Sequence, residues 1–207
     1  MSTVMQAGAT HLLLIALLSL CVPTTMSWAQ EGPGKIVVET IDRGIKILED
    51  PELQSLDRLE ERKQKLWAIL TPVFDFKETA KRALGHHWKA RSEKERGKFI
   101  PLFTEVLRDI YLGKTDTYSG AKFAYVREIS KGNRGKVRTN FITDEQKTVI
   151  VDFSMQNTTG TWKVYDITIE GVSIVGNYRS QFNTILAKSS FDELMEKLTK
   201  KRDEFVH

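Results

Sequence analysis

The residues best placed to do chemistry lie between Trp162 and Phe182, in Trp-Lys-Val-Tyr-Asp-Ile-Thr-Ile-Glu-Gly-Val-Ser-Ile-Val-Gly-Asn-Tyr-Arg-Ser-Gln-Phe. Gly171-Val-Ser173-Ile-Val-Gly176 follows an alternating segment and precedes a helical one, the setting of a nucleophile elbow. An elbow needs Gly-x-Ser-x-Gly, and position 175 is Val. A base is scarce as well, since His86, His87 and His207 are the only histidines beyond the leader. Gly171 is instead expected to permit the bend from strand to helix. Asp166 and Glu170 share a strand face and offer an acid/base pair. Four residues along a strand is roughly 13 Å, too far for both to act on one bond, so solvated or ion-paired carboxylates are the structural alternative. His86-His87 point about 100° apart on a helix, and no Cys or third His stands at ligand spacing. The residues therefore predict no catalytic group, no metal site and no cofactor.

The elements that position this stretch follow from periodicity. Tyr165, Ile167 and Ile169 alternate with Val164, Asp166, Thr168 and Glu170, and beyond Gly171 the residues Val172, Val175, Tyr178, Phe182, Ile185 and Leu186 recur at helical spacing. Upstream, Ile36, Val37, Thr40, Ile41, Ile45 and Leu48 mark a first helix; Asp50-Pro51 restarts the chain into a second, which Thr71-Pro72 stops. Asp75…Glu78, Ser92…Glu95 and Ser190…Glu193 carry the capping-box spacing. The second of these opens a helix bearing Phe99, Ile100, Leu102, Phe103, Val106, Leu107, Ile110 and Tyr111, apolar on more than one side. From Ala121 the period becomes two, with Phe123 and Tyr125, then Val137, Thr139 and Phe141, then Val149, Val151, Phe153 and Met155. The expected fold is α+β: a four-stranded, mainly antiparallel meander at about 121–170, helices at about 34–118 before it and about 172–205 after it.

Leu12 to Val22 is an apolar run too short to span a bilayer, which takes about 20 residues. Ser27-Trp28-Ala29 follows with small-x-small character, so residues 1–29 are expected to be a cleaved secretory signal peptide and 30–207 one domain. Cleavage would remove Cys21, the only cysteine, and leave an exported chain held by its core alone. Net charge is +4 from 31 basic and 27 acidic residues. That mixture suits weak attraction to an anionic surface and is too diffuse to predict nucleic acid. The apolar residues of the long helix, the third strand and the Val172–Phe182 stretch exceed what one strand face and one helix face require. Periodicity alone leaves open whether they fill an ordinary core or line a cavity.

Val164-Tyr-Asp-Ile-Thr-Ile-Glu-Gly-Val-Ser-Ile-Val-Gly-Asn-Tyr-Arg-Ser-Gln-Phe182 resembles the signature of the toluene-tolerance (MlaC) family, periplasmic phospholipid carriers of the Mla lipid-asymmetry system. Asp75-Phe76, Ala80-Lys-Arg-Ala-Leu-Gly85 with Trp88, and Phe99, Phe103, Leu107 and Tyr111 resemble the same family's helical part. After Tyr111 the chain departs from that pattern, with Leu-Gly-Lys-Thr in place of an alanine-rich continuation. The resemblance implies a non-enzymatic, monomeric periplasmic carrier holding phospholipid as cargo in a deep pocket between sheet and helices. It implies two partners, an inner-membrane ABC transporter complex with an MCE-domain ring and an outer-membrane lipoprotein–porin complex. On this basis the expected lipid-binding residues are Phe103, Val106, Leu107, Ile110 and Tyr111; Val149, Val151 and Phe153; and Val172, Val175, Tyr178 and Phe182. Arg179 is a candidate for the head-group phosphate, with a salt bridge as the alternative. The rival class is a small-molecule enzyme on a cone-shaped α+β fold with Asp166 or Glu170 as base.

Overall fold

The computed structural model describes residues 32–113, 122–143 and 146–204. The expected signal peptide, the link from helix to sheet and the turn at Asp144-Glu145 lie outside them. Six α-helices accompany one sheet among the described residues: α1 (Pro33–Leu48), α2 (Leu59–Leu70), α3 (Phe76–Leu84), α4 (Glu93–Leu112), α5 (Ile174–Leu186) and α6 (Phe191–Asp203). The strands are β1 (Lys122–Lys131), β2 (Arg134–Ile142), β3 (Thr148–Thr158), β4 (Thr161–Ile169) and β5 (Val172–Ser173), antiparallel and in sequence order across the sheet. The class is α+β as expected, with a fifth strand that the sequence reading lacks. None of the described helices is long and apolar enough to cross a membrane.

Local chemistry sets the helix starts. Asp75, Ser92 and Ser190 each accept a hydrogen bond from the backbone N–H three residues on, and at Ser92 the Glu95 carboxylate also returns to the cap backbone. Asp75 does more. Its backbone N–H donates to the Val164 carbonyl at 2.8 Å, and its second oxygen accepts from the Gln156 amide at 2.9 Å, so one residue caps α3 and ties it to β3 and β4. The expected second helix is interrupted. Asp50 caps only a 3-10 turn (Pro51–Leu53), a second such turn follows at Leu56–Arg58, and α2 starts at Leu59. Buried Arg62 donates to the Leu53 carbonyl at 3.0 Å and anchors that detour, which buries Leu53 and leaves Leu56 exposed.

Two bulges re-aim the sheet. Between Tyr125 and Arg127 on β1 an extra residue turns Glu128 to the helical side, where its carboxylate accepts from the Gly34 N–H at the start of α1, 2.6 Å away. On β4, Asp166 pairs with Ser154 and Val164 with Met155, so Tyr165 is the additional residue. The expected alternation is thereby corrected: Val164, not Tyr165, shares the inner face with Ile167 and Ile169. Tyr165 lies instead under the Arg82 guanidinium, 3.9 Å from ring centre to Cζ.

Candidate functional site

The corner at Gly171 is a two-residue hairpin, not a direct strand-to-helix joint. Ile169 pairs with Val172 across Glu170 (φ +48) and Gly171 (φ +82), the positive-φ pair of a type I′ turn. Ser173 then caps α5, its hydroxyl oxygen accepting from the Gly176 N–H at 2.8 Å. Asp166 braces this cap from β4: one oxygen accepts the Ser173 hydroxyl at 2.6 Å, the other the Val175 N–H at 3.0 Å. The Glu170 carboxylate accepts from the Ile150 N–H, and its own N–H donates to the Ile150 carbonyl at 2.9 Å. Both carboxylates of the rival catalytic reading are engaged in holding the corner. His87 meets Asn183 at 3.1 Å, and no group of acidic, His or Cys residues able to hold a metal exists among the described residues.

The apolar interior is divided. One buried cluster is helical, with Leu84, Phe99, Phe103, Val106, Tyr178, Phe182 and Leu194 at its centre. A second joins the sheet to α1 through Val37, Val137, Met155, Trp162 and Val164. The third, Leu66, Ile69 and Leu112, lies between α2 and the end of α4. Half-buried apolar side chains form their margins: Leu107, Ile110 and Ile174 on the first, Val73, Phe74, Phe153 and Ile167 on the second, Ile47, Trp67 and Leu70 on the third. A domain ordinarily has one contiguous core with smaller satellite clusters, and here the helical cluster is the largest of the three. In backbone approach α4 lies nearest α6, α3 and α2, and the sheet is met most closely by α1, α3, α5 and the 3-10 turn Thr71–Val73. Trp67, Phe76 and Phe74 stack in series at 5.2 and 5.5 Å along the α2–α3 turn.

The expected site residues separate into three groups. Phe103, Val106, Val175, Tyr178 and Phe182 are packed helical core, with Phe103 edge-on to Tyr178 at 5.0 Å and to Phe182 at 5.3 Å. Burial, aided by the nearby Tyr111, pushes the Tyr178 hydroxyl up to about 12, so that side chain stays neutral. Leu107, Ile110, Val149 and Phe153 are half-buried, and Val151 is buried on the inner face of β3. Tyr111 and Val172 stand apart, 37% and 63% exposed, because α4 is ending at the first and the hairpin projects the second. Arg179 lays its aliphatic stem over Gly85, 3.2 Å from where a Cβ would be, which packs α5 on the bend after α3. Trp67, Phe74, Phe76 and Ile167 are half-buried apolar residues outside the expected lipid-binding set; the three aromatics flank Thr71-Pro72, and Ile167 owes its inner position to the β4 bulge. Two surface depressions, of about 500 and 550 Å³, lie elsewhere, beside Gly34 and Glu128 and along α6. Both are shallow and rimmed by charge, unlike the divided interior.

The family model described as MlaC protein matches residues 38–200. The intermembrane phospholipid transport system binding protein MlaC of Haemophilus influenzae is 28% identical over 134 residues, an alignment covering 62% of this chain and 63% of that relative. A solved structure of the phospholipid-binding protein from Ralstonia solanacearum, in complex with a phospholipid, superposes with a TM-score of 0.75 at 22% identity, over 86% of this chain and 100% of that one.

Proposed function

Because the chain belongs to the MlaC family, we propose that it is a phospholipid-binding transport protein that acts without catalysis. It is exported to the periplasm and shuttles lipid between an inner-membrane ABC transporter complex bearing an MCE-domain ring and an outer-membrane lipoprotein–porin complex, maintaining outer-membrane lipid asymmetry. The observation that carries the reading is the divided interior. Half-buried apolar residues edge these clusters, Leu107 and Ile110 on α4 and Phe153 on β3, with Val149 half-buried further along the same strand. An acyl chain of about 15 methylenes loses roughly 12 kcal/mol when exposed to water, at about 0.8 kcal/mol per CH₂. Only near-complete burial lets a water-soluble carrier compete with a bilayer, and a seam between packed clusters can part without dismantling any one of them. The buried aromatics Phe103, Tyr178 and Phe182 then serve as the rigid wall behind the seam.

Native mass spectrometry of the purified protein tests this. Co-purified phospholipid, or its uptake from vesicles by delipidated protein, is the expected result. A protein that stays empty after both treatments overturns the carrier reading.

A further inference from the structure

The face of the sheet turned away from the helices carries a charge pattern that the fold does not use. After the β1 bulge, Arg127 stands opposite Arg138, Ile129 opposite Lys136, and Lys131 opposite Arg134. These six side chains alternate with the inward Val137, so all lie on the outer face. Arg138 bonds both oxygens of Asp152 at 2.7 and 2.8 Å, and Lys136 and Arg127 act on that carboxylate only through space. Among the described residues no carboxylate lies within ion-pair distance of Arg127, Lys131, Arg134 or Lys136, and all four are exposed. Like charges directly opposed across strands destabilise a sheet. Edge protection explains basic residues on β1, which among the described residues has no neighbour on one side. It does not explain three on β2, which is paired on both sides. Within this cationic field Ile129 is 60% exposed.

We propose that this outer face of β1 and β2 docks the protein on an anionic phospholipid bilayer, the cations reading the phosphate plane and Ile129 entering the interface. A flat array of separated cations around an exposed isoleucine matches a planar lipid surface, which presents diffuse negative charge and tolerates apolar insertion. An acidic protein patch would instead call for discrete, oriented partners. The proposal concerns the face opposite the cargo side and stands whether or not lipid is carried.

Vesicle co-sedimentation of the purified protein tests it, using about three parts phosphatidylethanolamine to one part phosphatidylglycerol against phosphatidylcholine alone. Binding to the anionic vesicles, weakening as salt rises, is expected. The triple variant Arg127→Gln/Lys131→Gln/Lys136→Gln should bind about 100-fold more weakly, roughly fivefold per cation. It should melt close to the parent, because relief of opposed like charges offsets the lost attraction of Arg127 and Lys136 for Asp152. Ile129→Ser should weaken binding without changing the salt dependence. The control Lys89→Gln/Lys94→Gln/Lys188→Gln removes equal charge from elsewhere and should change binding by less than about threefold. An equal loss in the control overturns the proposal in favour of net charge alone. Absence of parent binding to anionic vesicles overturns it too, and leaves an acidic protein as the occupant of this face.

Discussion

Replacing Asp166 separates a brace from a base. In the structure its two oxygens accept the Ser173 hydroxyl and the Val175 N–H while Ser173 caps α5, so three bonds converge where β5 meets the helix. Hydrogen bonds to a charged group contribute roughly 1.5–3 kcal/mol each when partly buried, and an N-cap about 1 kcal/mol. Asp166→Ala removes both carboxylate bonds and frees Ser173 to rotate away from Gly176. Allowing for water reaching this half-buried site, the expected loss is about 3 kcal/mol. Asp166→Asn keeps an acceptor for Val175 but loses the charge and the acceptor for the Ser173 hydroxyl, which predicts about 1 kcal/mol. Ser173→Ala should cost about 1 kcal/mol through the cap. The double variant Asp166→Ala/Ser173→Ala should fall short of the summed losses by about 1 kcal/mol, because the two share a bond. Urea denaturation at constant m-value reads each of these as a shift in midpoint. A base in a working site behaves oppositely, since relieving a buried functional charge tends to leave stability unchanged or raise it. An Asp166→Asn protein as stable as the parent but devoid of lipid transfer would refute the bracing role.

Other substitutions probe the seam, the ion pair and the backbone. Ile110→Trp on the half-buried margin should leave thermal unfolding within about 1 kcal/mol of the parent yet cut co-purified lipid at least tenfold, while Phe103→Trp, overpacking a filled cluster, should cost about 1–3 kcal/mol; native mass spectrometry and melting curves read the two together. Arg138 holds the Asp152 carboxyl below the usual carboxylate range through paired hydrogen bonds. A depressed carboxyl contributes stability above its unfolded value of about 3.9 and loses it as pH falls through the folded value. Acid melting series should therefore show the parent losing more stability between about pH 5 and pH 2 than Arg138→Gln, and parallel curves would contradict the assignment. Gly85 has φ +56 and ψ −127, with the Arg179 stem 3.2 Å from a would-be Cβ. Gly85→Ala should cost about 1–3 kcal/mol in urea midpoints, more than Gly171→Ala, where the surrounding space is open.

Most of the fold was legible because helices announce themselves locally. The spacing of Ser92 and Glu95, the apolar stripe to Tyr111 and the stop at Gly113 involve neighbours in sequence, and α4 follows them closely. Strand faces were less secure, because one inserted residue reverses the alternation and nothing in Val164-Tyr165-Asp166 marks which residue is extra. Alternation alone therefore sets Val164 opposite Ile167, whereas the bulge puts both on the inner face. Val172 was misplaced for a related reason: Glu170-Gly171 makes a hairpin with a strand of only two residues, too short to register as a period. The division between packed wall and open margin was invisible, since Phe103 and Leu107 lie one turn apart on the same helix and differ only in what faces them.

Three separate buried clusters also bear on how the molecule forms and opens. Both the helical cluster, where α3 meets α5 and α4 meets α6, and the cluster of Val37, Val137, Met155 and Val164 join segments far apart in the chain, so each waits for a long loop to close. Amide exchange should resolve two cooperative units, with the α4 and α5 amides outlasting those of β1. A bound lipid would slow both alike, because a chain lying along the seam becomes the piece of interior that the two units share.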